Sequence, residues 1–408
     1  MPPTRWALDP AAQEAAFRGL KQRLEGLWST LFPGDDEHYT SVVVPSRPVG
    51  PGEWGADYEE ERLLFLLIRL RNPRARMIYV TSRPIPPPVL DYYCELLRGT
   101  PASHVRSHLQ IFAVHDTTPR PLAAKILERP RLIARIRGAI FDPGRAYLTV
   151  SESSPLERTL ALALDLPLNA ADPALSHHAT AAGARRVFDL AGLDVAGAGV
   201  DGDASVASAE LRINPRREIV PVSTHEHLPD GGLWFPASPA YRRELLARGR
   251  RAAEVLAACG VVSRVSVTFA VRAGARGPHL RALGLDLGMG PVVHPVLALR
   301  FLTGGAFDAD TGTFLTPSGA SKSYRSSDAV GRGRYRGLLP EDLIDIAAAH
   351  HLRFDPRSES GVLFHAIGGL SERGCLGLTA VGSDRGEAER HHAHAVEVLD
   401  REASSTVL

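Results

Sequence analysis

The feature that most constrains the fold is the alternation, between Ser41 and Val150, of short β-branched or apolar runs with stretches of helical period. Residues 42–44, 77–81, 109–114 and 147–150 read as strands, and 58–71, 87–97 and 122–140 read as helices between them. Strands joined through helices pair in parallel, because a parallel pair needs a crossover that a tight turn cannot supply. Residues 1–172 therefore predict a doubly wound, Rossmann-like lobe, with an amphipathic helix over 10–31 packed on it. Ser154-Pro-Leu-Glu157 adds a capping box, with Pro155 at the first helical position, a helix to about Leu164 and a short strand near Leu168.

That lobe lacks both phosphate-cradling devices. No GxGxxG follows the first strand, where Pro45 and Pro48 stand instead, and GxxxxGK[ST] occurs nowhere. The lobe reads as the wall of a substrate cleft rather than as a dinucleotide site.

Residues 206–213 and 218–225, joined by Asn214-Pro-Arg-Arg217, read as a hairpin ending in Ser223-Thr-His-Glu-His227. A second hairpin runs over 265–271, turns at 274–278 and returns over 280–287, placing Thr268 near Gly284 and Asp286. Then come Gly284-Leu-Asp-Leu-Gly-Met-Gly-Pro-Val-Val-His-Pro295, a helix over 340–350, strands over 362–367 and 376–381, and a helix over 387–401. Residues 404–408 are expected to be disordered.

With 408 residues the chain can build two or three domains, and its net charge of +1 gives no global reason to expect nucleic acid or a membrane surface. Cys94, Cys259 and Cys375 show no metal spacing and no disulfide framework, which predicts reduced thiols and a cytoplasmic protein. No signal-peptide pattern and no bilayer-length apolar run is present. Lys21, Lys125 and Lys322 are the only lysines.

Three further clusters have bland readings. His225 and His227, with His294, form an H-x-H pattern, but alternate strand residues share a face by default. His391, His392 and His394 read as a solvated helix face. Gly331-Arg-Gly-Arg-Tyr-Arg-Gly337 reads as a turn.

The pattern from Thr268-Phe269 through Ala282-Leu-Gly-Leu-Asp286 to His294-Pro295 and Leu299-Arg-Phe-Leu-Thr-Gly-Gly305 resembles a known family. So do Tyr335-Arg-Gly-Leu-Leu-Pro-Glu-Asp-Leu-Ile-Asp-Ile346, Phe364-His-Ala-Ile-Gly-Gly-Leu-Ser371, Asn72-Pro-Arg-Ala-Arg76 and Tyr79-Val-Thr-Ser82. The chain resembles the ATP-grasp peptide ligases of the pheganomycin-ligase type, which join carboxylates to amines in natural-product assembly. The resemblance implies a pre-ATP-grasp lobe over 1–172, an ATP-grasp core over 173–337 and a C-terminal α/β cap over 338–403.

The departures from that family lie where phosphate would be handled. Its Asp-Phe on one metal strand is Thr268-Phe269 here, and its Glu-Ile-Asn on the next is Gly284-Leu-Asp286. Its cationic, hydroxyl-bearing loop is Gly288-Met-Gly-Pro-Val-Val293, and its nucleotide lysine is absent from Ala181-Ala-Gly-Ala-Arg-Arg186. Ala196-Gly-Ala-Gly-Val-Asp-Gly-Asp203 stands in place of the lid subdomain, a linker too short to roof a nucleotide. The expectation is a lidless core that uses neither ATP nor Mg²⁺, since charge stabilisation dominates phosphoryl transfer.

On the retained side, the resemblance points to Arg212, Ser223, Thr224, Asp286, Arg300 and Lys322 as substrate-binding groups. His225, Glu226 and His294 are the candidate acid or base. The expected function is binding or processing of an amino-acid- or peptide-derived intermediate in a specialised-metabolite pathway without ATP. The alternatives are an active ATP-dependent carboxylate–amine ligase, with ATP and Mg²⁺ as cofactors, and a non-catalytic partner of such a ligase. In the last case a protein or a second copy of the chain covers the lidless face.

Overall fold

Four β-branched runs form the first sheet, and all pair in parallel. β1 (Tyr39–Val44), β2 (Ala75–Thr81), β3 (Leu109–Ala113) and β4 (Ala146–Val150) lie in the order β3-β2-β1-β4. Every residue of β1 and β4 is buried, as a parallel sheet covered on both faces requires. The computed structural model describes residues 9–28, 38–47, 60–97, 99–197, 204–275, 277–331 and 333–405. Expected features at 29–31, 48, 58–59, 198–203, 332 and 406–408 lie outside them.

The chain divides into two compact units, Met1–Ser176 with Asn214–Arg216, and His177–Ile213 with Arg217–Leu408. In the first, Val42, Val44, Ile78 and Leu148 meet Phe17 and Leu20 of the helix Pro10–Gly26 and Leu160 of the helix Pro155–Leu164 in one core. The capping box forms, with the Ser154 backbone N–H donating to Glu157 at 2.9 Å. The segment 122–140 is two helices, Leu122–Leu127 and Pro130–Ala139, because Pro130 cannot continue the hydrogen-bond ladder but suits the first turn of a new helix. Residues 64–71 form a 3-10 helix rather than an α-helix. Lys125 is fully buried and donates to Ser82 Oγ and to the Asp116 carbonyl, each at 2.8 Å, while Ser82 donates to Glu60 at 2.6 Å. One of the three lysines is thus part of the first unit's interior.

The second unit is built on a sheet of 10 strands. Its members are β5 (Ser205–Ile213), β6 (Ile219–His227), β7 (Leu233–Phe235), β8 (Ser263–Arg272), β9 (His279–Leu287), β10 (Ala306–Asp308), β11 (Thr313–Leu315), β12 (Ser321–Val330), β13 (Gly361–His365) and β14 (Leu376–Gly382). The main path is β10-β11-β12-β7-β6-β5-β8-β9, with β14 paired to β12 and β13. The strands expected in the C-terminal segment therefore extend the same sheet. A helix absent from the sequence reading, Arg242–Ala258, packs on β5: a Cβ at Gly249 would lie 2.9 Å from Ala209 Cβ, so glycine permits the close approach.

Two expectations are corrected. The Ser-rich stretch holding Lys322, Tyr324 and Asp328, whose composition reads as a loop, is strand β12, because its alternate residues divide between two covered faces of the sheet. The last helix runs Arg385–Ser405 and takes in 404–405, which were expected to be disordered.

Candidate functional site

Strand registers sort the central side chains of the second unit into two faces. Ala207, Ala209, Leu211 and Ile213 of β5 lie with Val265, Val267 and Phe269 of β8 on the side covered by the helix Arg242–Ala258. The intervening residues carry polar groups on the opposite face, in rows across four strands. One row is Ser223, Glu210, Ser266, Asp286; the next is His225, Ser208, Thr268, Gly284; beside them Arg212 faces Arg264. On the β5–β6 side the row members are deep, with Ser208, Ser223 and His225 0% exposed and Glu210 5%. Ser266, Thr268 and Gly284 are partly exposed and Asp286 is exposed, so the rows rise from a buried floor to an open edge.

The floor is electrostatically distinctive. Ser266 Oγ donates to Glu210 at 2.6 Å, yet burial pushes the Glu210 carboxyl up to about 7. His225 Nε2 lies 2.6 Å from the Tyr324 hydroxyl, and burial, then the neighbouring His227, hold its imidazole neutral, with a pKa down at about 3. Burial raises the Tyr324 phenol well above its ordinary range, so it stays protonated and can donate to His225. His225 Nδ1 and Ser223 Oγ are buried with no hydrogen-bond partner among the described residues.

The structure separates residues that the sequence reading grouped. Glu226 and Thr224 point to the helix side of β6, away from His225. Glu226 accepts from the Ser238 backbone N–H, the Tyr241 hydroxyl and Arg385 at 2.6–2.8 Å, and Thr224 Oγ1 accepts from the Ala237 backbone N–H. Strand alternation therefore puts His225 and Glu226 on opposite faces of the sheet. Lys322 is buried beside Tyr324 on β12 and donates to the Ser358 carbonyl at 2.7 Å. Arg300 is exposed on the last turn of the helix Val293–Thr303.

His294 opens that helix and packs on His365 of β13, with ring centroids 4.0 Å apart. His365 Nε2 lies 3.0 Å from Asp328 Oδ1. His225, His227 and His294 thus bond or pack with Tyr324, Ser208 and His365 respectively, and no group of three or more metal-ligating side chains is found among the described residues. His392, expected on a solvated face, is buried at 6% exposure, because the helix Arg385–Ser405 packs against β12 and β14.

Comparisons with known proteins bear on this geometry. A family model described as the PGM1 C-terminal domain matches residues 342–395. The L-propargylglycine–L-glutamate ligase of Streptantibioticus cattleyicolor is 23% identical over 434 residues, covering 84% of this chain and 89% of the ligase. Among solved structures, N5-carboxyaminoimidazole ribonucleotide synthetase in its ADP complex superposes with a TM-score of 0.51 at 10% identity, over 90% of this chain and 98% of the synthetase. The biotin carboxylase subunit of pyruvate carboxylase gives 0.52 at 9% identity, over 88% and 90%. The complete pyruvate carboxylase of Rhizobium etli gives 0.51 at 11% identity, and this chain spans 33% of its length.

The fold is ATP-grasp. Within it, the polar rows lie on the strands where the sequence reading placed the metal positions, and Thr268 stands directly opposite Gly284. The sequence reading missed Glu210, Ser266, Ser208 and Arg264. Its available signal was period two: Ser208, Glu210 and Arg212 alternate with Ala and Leu, the pattern of a strand with one polar face. Among the described residues no helix is long and apolar enough to cross a membrane.

Proposed function

We propose that this ATP-grasp-fold protein binds an amino-acid- or peptide-derived carboxylate or amide on the polar rows of its second unit and serves a step in peptidic natural-product assembly that does not use ATP. The observation that carries the reading is the row of His225, Ser208, Thr268 and Gly284. Its deep end offers hydrogen-bonding groups, and its open end offers no carboxylate where the family holds Mg²⁺ on nucleotide phosphates. Mg²⁺ is held most firmly by carboxylate oxygens, where Thr268 offers one neutral hydroxyl and Gly284 no side chain. The absent nucleotide lysine at 181–186 and the short 196–203 linker in place of a lid support the same reading. Arg212 and Arg264 place guanidinium charge beside these rows, and Ser223 and His225 add uncharged hydrogen-bonding groups.

A second reading, the ATP-dependent ligase, has one observation in its favour. Glu210 and Asp286 flank Ser266 in a single row, so two carboxylates share the face where the sequence reading found only one. Calorimetric titration with Mg²⁺-ATP separates the two. No heat of binding at millimolar nucleotide is the expected result; micromolar affinity would return the ligase to first place.

A further inference from the structure

The deep groups of the polar rows divide into satisfied and open ones. Ser208, opposite His225, is engaged by His227 Nε2 at 3.0 Å, and Glu210, opposite Ser223, accepts from Ser266 at 2.6 Å. Ser223 Oγ and His225 Nδ1 are left without hydrogen-bond partners among the described residues, and both residues are 0% exposed. They alternate along β6, so they share one face at about 7 Å along the strand.

Tyr324 decides which ring nitrogen of His225 carries the hydrogen. Its hydroxyl lies 2.6 Å from His225 Nε2 and makes no second hydrogen bond among the described residues. Were Nε2 to hold the hydrogen and donate it, the phenol O–H and the Nδ1 lone pair would both be buried and unmet. With the phenol donating to Nε2, only the Nδ1–H is unmet. Leaving one buried group unsatisfied costs less than leaving two, so the second arrangement prevails. Burial keeps the imidazole neutral, so that one ring hydrogen is all it has. The Tyr324 ring is held in turn by Phe235, stacked on it with centroids 4.7 Å and planes 18° apart, and Phe235 is 0% exposed.

We propose that Tyr324 is a positioning residue that fixes His225 as an Nδ1–H donor, and that His225 and Ser223 together receive a neutral amide oxygen of the ligand. This rests on the reading of the rows as the ligand-binding face. It takes His225 out of the acid–base role that the sequence suggested: a neutral imidazole whose lone pair is occupied by a phenol neither accepts a proton nor gives one up. An amide suits the pair better than a carboxylate, because Ser223 stands opposite Glu210 and a second carboxylate there meets like charge whenever Glu210 is ionised. The row of His225 runs through Ser208 and Thr268 to Gly284, where a Cβ would meet no atom within 4 Å, so the open end has room for the rest of the ligand.

Long-range proton–nitrogen correlation spectra of the full chain, labelled with nitrogen-15 histidine, read the tautomer directly; the His225 resonances are those that His225→Gln removes. The ligand-free wild type should show the Nδ1–H form at pH 7, and Tyr324→Phe should convert it to the Nε2–H form. N-methylacetamide should shift the Nδ1–H resonance saturably, acetate at pH 8 should act about five-fold more weakly, and methylammonium, which has no acceptor, should leave it in place. An Nε2–H form in the wild type, an Nδ1–H form that persists in Tyr324→Phe, a resonance unmoved by the amide, or one moved equally by acetate overturns the proposal. Should Tyr324→Phe fail to fold, the wild-type spectra decide. The tautomer is read without nucleotide, so its failure is distinguishable from failure of the ATP-independent reading, which the Mg²⁺-ATP titration tests by itself.

Discussion

Replacing Glu210 by Gln should flatten the pH dependence of folding stability, and the size of the effect follows from burial. Glu210 is 5% exposed, and its carboxyl rises from the ordinary 4.5 to about 7 because desolvation outweighs the hydrogen bonds from Ser266 and Ser208. A raised carboxyl binds more protons in the folded than in the unfolded chain between those two values. Stability from this group is therefore highest below 4.5, falls as pH rises, and is lost above about 7. At about 1.4 kcal/mol for each pH unit the difference is about 3 kcal/mol. Gln keeps an oxygen to accept from Ser266 and removes the buried charge. The assay is urea denaturation of both proteins at pH 5 and pH 8. The wild type should lose about 2.5 kcal/mol more than the variant between those conditions. Equal pH slopes would mean that Glu210 is ionised throughout and would refute the argument from burial.

Two substitutions probe the neighbouring groups. Tyr324→Phe leaves His225 Nε2 buried without its 2.6 Å partner and should lower stability by about 1–3 kcal/mol in the same denaturation assay; an unchanged midpoint would mean that the bond contributes nothing. Thr268→Asp with Gly284→Glu restores two facing carboxylates at the open edge, and a Cβ at Gly284 meets no atom within 4 Å, so the variant should fold. It should gain Mg²⁺ binding detectable by calorimetry with the metal alone; a folded variant that takes up no Mg²⁺ would remove these strands as the metal position.

The parallel sheet, both hairpins and several helix starts were legible because each rests on local signals: β-branched runs, period two, a capping box, and proline at helix starts. β12 was not, since a run such as Ser-Lys-Ser-Tyr-Arg-Ser-Ser-Asp has loop composition, and only pairing with β7 and β14 makes it a strand. The grouping of the candidate site's side chains was half legible. Ser223 and His225 stood out as polar groups at a strand end, but Glu226 was grouped with them by proximity in sequence, whereas a strand sends neighbours to opposite faces. Glu210 went unnoticed because a single acid in a hairpin is unremarkable until the register puts it in a row with Ser223, Ser266 and Asp286. His392 was misread for a related reason: helical period gives a face, while only packing decides what covers it.

The burial of these groups is an argument in itself. Ser223 Oγ and His225 Nδ1 are buried without partners among the described residues, and each such atom costs about 1–3 kcal/mol that an apolar side chain of similar shape would not. Glu210 adds the expense of a carboxyl held out of water. A ligand that hydrogen-bonds to these groups would recover part of that loss on binding. Ser223→Ala should accordingly leave stability unchanged or raise it, by up to about 1 kcal/mol, while weakening capture of any carboxylate or amide that the rows accept. A clear loss of stability in Ser223→Ala would instead assign Ser223 a structural hydrogen bond and remove it from the site.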